Sequence, residues 1–135
     1  MKKITYDLHY AGKKQRFARS VVAGDIIFLS GSSGRTMETG EVSSDDVREQ
    51  VKVALDKVRG ALEEAGSSMD QIVKVAIYLK DIKDYETVKQ AEWDYWTQFA
   101  PALVEHPPAS IAMQIVSLSK PNMLVEFDIV ALTSE

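Results

Sequence analysis

From Val47 to Ala65 the apolar positions Val47, Val51, Ala54, Leu55, Val58, Leu62 and Ala65 recur every three to four residues, which makes one continuous stripe on a helix. Ser43 or Ser44 can cap its start, Asp45 and Asp46 suit the positive end of its dipole, and Gly66 suits its stop. Elsewhere the period shortens to two. Ile72 to Lys80 puts Val73, Val75, Ile77 and Leu79 on one side of a strand, and Met123 to Leu132 does the same with Val125, Phe127, Ile129 and Ala131. Strands are also expected over Ile4 to Tyr10, Arg16 to Ala23, Ile26 to Gly31 and Ser110 to Val116, with Ala23-Gly24-Asp25 as a tight turn. A second helix is predicted from about Asp84 to Phe99, burying Tyr85, Val88, Trp96 and Phe99, and Pro107-Pro108 breaks the chain beyond it. The order β-β-β-α-β-α-β-β predicts an α+β fold, a mixed sheet with two helices on one face. If the helix-free face is apolar, another subunit must cover it.

The last strand carries the first chemical signal. Opposite its apolar row stand Leu124, Glu126, Asp128, Val130 and Leu132, a row too apolar for open solvent and too charged for a sealed core. Either the two carboxylates make interface ion pairs or face water, or Glu126 lines a cleft. In a cleft, partial desolvation raises a carboxyl pKa and lets the group orient water or exchange a proton. The pattern alone leaves both open.

Composition narrows the chemistry. The 135 residues, 45% apolar and 27% charged, have the balance of one folded domain spanning 1–135. The absence of cysteine removes thiolate nucleophiles, disulfides and zinc-thiolate sites. His9 and His106 are far apart and in no ligand spacing, so neither a metal site nor a Ser-His-Asp triad is expected. A net charge of −4 disfavours nucleic acid as a partner. No signal-peptide core and no apolar run of spanning length occurs, so a cytoplasmic protein away from membranes is expected.

Five runs then fall in a recognisable order: G-D-I-I-F-L-S-G (24–31), T-G-E (39–41), E-E-A-G-S-S (63–68), I-V-K-V-A-I-Y-L-K-D (72–81) and L-V-E-F-D-I-V-A (124–131). They resemble the RidA/YjgF family over nearly the whole chain. The resemblance implies a chorismate-mutase-like subunit and a homotrimer with clefts between subunits. It also implies hydrolysis of reactive imines or enamines to oxo acids and ammonia, with no cofactor or metal. Glu126 falls on the family's strand glutamate, which makes it the catalytic candidate for handling water. Ser30 and Gly31 fall on the substrate-binding S-G pair, followed by Ser32, and Phe17 stands where the family usually has tyrosine.

One motif departs from the family. Where relatives read Pro-Ala-Arg-Ser or Pro-Ala-Arg-Thr, this chain reads Pro107-Pro108-Ala109-Ser110, and no arginine follows Arg59. Ala109 therefore replaces the two-pronged grip on a substrate carboxylate, with Ser110 beside it. A small-molecule substrate other than the usual 2-imino acids is expected. Arg19 or Arg35 is the candidate replacement anchor, Arg19 because two residues past Phe17 on a regular strand it faces the same way. Two further readings stand beside this one. The first is a small-ligand-binding trimer without turnover. The second is RNA cleavage or translation inhibition, against which the acidic charge and the lack of a basic-aromatic stripe both speak. Trp93 and Trp96, three apart on the second helix, read as packing residues.

Overall fold

A computed structural model describes residues 2–134. In chain order it contains β1 (Lys3–Tyr10), β2 (Lys13–Ala23), β3 (Ile26–Leu29), β4 (Ser32–Ser33), α1 (Val47–Glu64), β5 (Ile72–Leu79), α2 (Tyr85–Phe99), α3 (Ala102–Glu105), β6 (Ala109–Gln114) and β7 (Val125–Leu132). The strands form one sheet in the order β1-β2-β3-β7-β5-β6, and β4 continues the β3 side along β7. Only β5 and β6 run parallel; the other pairings are antiparallel. The mixed α+β architecture expected from the order of elements is the one observed.

Local chemistry explains the main helix. The Asp46 side chain caps α1 by accepting from the Arg48 backbone N–H at 2.8 Å, and Ser44 Oγ accepts from the Asp46 N–H at 3.0 Å. The capping residue is therefore Asp46 rather than the serine expected, and Ser44 holds the N–H of that cap. The α1 stripe packs on the inner row of β7: Ala54, Leu55, Leu62, Val125, Phe127 and Ala131 are fully buried. From α2, Val88 and Trp96 join the same core, so Trp96 is a packing residue as its spacing predicted.

Two strand expectations need correction. The segment predicted as Ile26 to Gly31 breaks after Leu29, and a separate two-residue strand resumes at Ser32. Val73, predicted to point inward with Val75, is instead 40% exposed. Ile72 pairs with Ala131 and Lys74 with the adjacent Val130, so Val73 is an extra residue in the ladder. This β-bulge turns Val73 outward, and Ile72 takes its place in the core.

The helix-free face is apolar and open. Ile26 lies opposite Leu132, Phe28 opposite Val130, and Ala76 opposite both Asp128 and Ile111, which puts all of them on one side of the sheet. Phe28 and Ile111 are 48% and 51% exposed. A face of this kind calls for cover.

The core ranking can be checked by substitution. Phe127 is wholly enclosed between the sheet and α1. Phe127→Ala is expected to lower unfolding free energy by about 3–5 kcal/mol in a urea titration, through lost burial and the cavity left behind.

Candidate functional site

Glu126 is the second residue of β7, paired with Ser33 of β4 on one side and Tyr78 of β5 on the other. The backbone at Gly31 passes directly over it. A Cβ built on Gly31 would lie 2.6 Å from Glu126 Oε2 and 2.9 Å from its Cδ, so only glycine leaves the carboxylate where it is. Around Glu126 opens a cleft of about 230 Å³ whose walls include Phe17 of β2, Tyr10 of β1, Ser33, Arg35 and Met123. The loop carrying Met123 is pinned from α1. Buried Gln50 donates to the carbonyls of Ser44 and Asn122 and accepts from the Leu124 N–H at 2.9 Å. Gly34 lets the β4 end close on that glutamine, since a Cβ there would sit 2.6 Å from Gln50 Cγ.

Burial dominates the electrostatics of Glu126. Burial pushes the Glu126 carboxyl up from its ordinary value; Lys57 and Arg35 pull it back, and Asp128 adds to the rise. Desolvation wins. Arg35 lies flat on the Tyr10 ring with its guanidinium carbon 4.1 Å from the centroid, and its Nε donates to the Gly40 carbonyl at 2.8 Å. Lys57 Nζ donates to the Tyr10 hydroxyl at 3.1 Å. Burial, followed by the charge of Arg35, pulls the Lys57 ammonium down to about 7, against a smaller upward pull from Glu126. The Tyr10 hydroxyl is raised, chiefly by burial. Among the described residues neither Arg35 nor Lys57 takes part in an ion pair.

The two candidate anchors go to different places. Tyr6 pairs with Ser20 and Asp7 with Ala18, so Arg19 is an extra residue in β2. The bulge breaks the regular alternation on which the shared facing of Phe17 and Arg19 rested. Phe17 lines the Glu126 cleft, whereas Arg19 lies under α1, against Gly60 and 3.5 Å from Glu64. Arg19 lines a smaller recess with Lys57, and that recess meets the cleft at Tyr10, Ser30 and Gly31. Arg35 lines the cleft together with Glu126.

The remaining expected residues divide in the same manner. Ser30 lines the cleft, but its hydroxyl donates to the Ala18 carbonyl and its N–H to the Arg19 carbonyl, so towards a ligand its hydroxyl can only accept. Ser32 is buried and donates to the Ala54 carbonyl at 2.7 Å, which ties β4 to α1. Ala109 and Ser110 lie on β6 at the sheet edge, away from Glu126. Ala109 pairs with Lys74, and Tyr78 of the same strand pairs with Glu126. Two strand spacings and four residues of rise separate Ala109 from Glu126 by roughly 16 Å. Ser110 turns inward toward Trp96 and Glu92. Within one chain neither residue reaches the cleft.

Tyr10 and Lys57 were not singled out from the sequence. One signal was available for Lys57: it stands between Ala54, Val58 and Ala61 on the buried side of α1, an unusual place for an unpaired amine. Tyr10 gave none, since an inward tyrosine at a strand end is ordinary.

The buried amine has a consequence for stability. A lysine with a folded pKa near 7 and an ordinary unfolded value binds fewer protons when folded, so its burden on the fold is full below about 7 and is relieved as pH rises toward 10.5. Lys57→Met is therefore expected to raise the melting temperature at pH 6 to 7, with a gain that shrinks by pH 10. A gain of equal size at both pH values would contradict the assignment.

The comparisons bear on family and fold. Residues 11–133 match the family model described as Endoribonuclease L-PSP. A RutC family protein of Pyrococcus abyssi is 31% identical over 115 residues, covering 85% of this chain and 84% of the relative. Reactive Intermediate Deaminase A, chloroplastic, of Arabidopsis thaliana is 28% identical over 97 residues, covering 72% of this chain and 52% of that protein. The crystal structure of Escherichia coli TdcF with bound serine superposes with a TM-score of 0.84 at 25% identity, covering 98% of this chain and 100% of that one. With the family model matching most of its length and the sheet matching in architecture, this chain belongs to the Endoribonuclease L-PSP family, the RidA/YjgF and RutC proteins.

Proposed function

We propose that this protein hydrolyses a small imine or enamine, releasing ammonia, in the cleft at Glu126. The observation that carries the reading is the half-buried Glu126 carboxyl, raised by desolvation, held under Gly31 and facing Arg35 across an open cleft. Two relatives' names, the deaminase of Arabidopsis thaliana among them, point the same way.

In this scheme Glu126 accepts a proton from water as the water oxygen bonds to the imine carbon and the C=N π pair moves to nitrogen. The protonated carboxyl returns that proton to the nitrogen, giving a carbinolamine; the carboxylate then takes the hydroxyl proton and passes it to the nitrogen as the C=O bond forms and the C–N bond breaks. Ammonia leaves and a carbonyl remains. A carboxyl whose pKa sits above the ordinary value suits both halves of the cycle. Arg35 places a fixed positive charge beside the reacting centre, because it is the cation lining the cleft that lacks a carboxylate partner among the described residues. Phe17 supplies an apolar wall.

Three copies are proposed to bury the open sheet face, with Phe28 and Ile111 at the contact and the Ala109 edge of one copy beside the cleft of the next. In that arrangement Ala109 leaves the partner's side of the cleft without a cation. RNA cleavage finds less support: neither His9 nor His106 lines the cleft, and the net charge is −4.

Two outcomes test this reading. Glu126→Gln is expected to cut ammonia release from a panel of imines and enamines by about 10²–10⁴-fold while leaving the melting curve close to wild type. An unchanged rate would remove Glu126 from the chemistry, and a wild type inactive on the whole panel would favour a ligand-binding role. Phe28→Asp is expected to convert a trimer into monomers in sedimentation velocity; a wild type that sediments as a monomer would end the subunit model.

A further inference from the structure

The recess behind Tyr10 adjoins the Glu126 cleft and includes costly groups. Lys57 reaches it from α1 and Arg19 from the β2 bulge. Of the three donor positions on the Lys57 ammonium, one is used on the Tyr10 hydroxyl. Arg19 has only a long contact to Glu64, at 3.5 Å. The hydroxyls of Ser30 and Ser32, which also line the recess, are spent as donors on the Ala18 and Ala54 carbonyls. Lys57 and Arg19 thus border a recess, otherwise walled largely by Leu8, Leu29, Met37 and Val58, that no carboxylate among the described residues lines. The space is about 20 Å³. That admits an end group little larger than a water molecule, not a whole metabolite.

We propose that this recess is a subsite for an acidic group that the ligand carries at a distance from its reacting carbon, gripped by Lys57 with Arg19. The inference rests on the reading of Glu126 as the reacting centre, and it deepens that reading by naming the substrate class: imines and enamines of oxo acids whose carboxylate is remote from the C=N carbon. Tyr10, Ser30 and Gly31 form the shared wall, so a ligand with its reacting carbon beside Glu126 reaches Lys57 by passing Gly31.

The charges around Lys57 fit an absent counter-ion. Arg35 from the loop after β4 and Arg19 from β2 disfavour its ammonium form, Glu126 from β7 favours it, and Tyr10 from β1 faces it as a hydrogen-bonded hydroxyl. A bound carboxylate offsets the two arginines and restores the proton. Binding should therefore weaken as pH rises past neutrality in the wild type and lose that dependence in Lys57→Arg.

The test uses two stable isomers of equal charge, 4-oxopentanoate and 2-oxopentanoate, in isothermal titration calorimetry with the intact protein. The wild type is expected to prefer 4-oxopentanoate by about tenfold or more, the size of one good charged contact. Lys57→Met and Lys57→Gln should abolish that preference, Lys57→Arg should keep it, and Glu126→Gln should keep it while losing turnover. A wild type with no preference, or a preference that survives in both Lys57→Met and Lys57→Gln, overturns the subsite. The two proposals fail separately. If the isomer preference holds but no imine is hydrolysed, the subsite stands and the deaminase reading falls. If ammonia is released regardless of where the acid lies and of the residue at 57, the reverse follows.

Discussion

The Glu126 carboxylate occupies the volume that any side chain at position 31 would need. With Oε2 only 2.6 Å from where a Cβ would stand, the glycine is a steric condition for the site. The contact also explains the interruption of the strand predicted over Ile26 to Gly31. The backbone leaves the ladder after Leu29, crosses the carboxylate at Gly31 and rejoins β7 at Ser32 and Ser33. A carboxyl beneath a main chain loses water on that side, which is the physical origin of its raised pKa.

Around that contact the protein gathers charge unevenly. Arg35, Lys57 and Arg19 approach from a loop, a helix and a bulge, while Glu126 supplies the negative charge that acts on Lys57. Each cation is held by something other than a tight carboxylate pair. Arg35 rests on the Tyr10 ring and the Gly40 carbonyl, Lys57 on the Tyr10 hydroxyl, and Arg19 at long range on Glu64. Tyr10 thus organises two of the three. Cations left without close counter-ions burden the folded state, and groups that destabilise a fold while facing a cavity are characteristic of binding sites.

The sheet divides these roles between its faces. The inner row of β7, Val125 to Ala131, seals the core against α1, while the outer row carries Glu126 beside an apolar surface that includes Phe28 and Ile111. One strand therefore supplies both core and the carboxylate of the candidate site, and α1 supports both through Gln50, which holds the loop leading into β7. Ala109, at the sheet edge, contributes to the cleft of its own chain neither by distance nor by charge.

What the chain determined by itself was whatever depends on a residue and its near neighbours. The stripe from Val47 to Ala65, the alternation in β7 and the odd placement of Glu126 and Asp128 are local patterns, and each was legible. The tertiary structure decided the rest, because it turned on pairing. A bulge exists only relative to a partner strand, so neither the outward turn of Val73 nor the departure of Arg19 from the face of Phe17 could be read from alternation. Ser32 and Ser33 look alike in sequence, yet one hydroxyl holds α1 and the other lies in the cleft. Lys57 became a site residue only when folding carried Tyr10, 47 positions earlier, to within 3.1 Å of its amine and excluded the water that would have kept it an ordinary surface lysine.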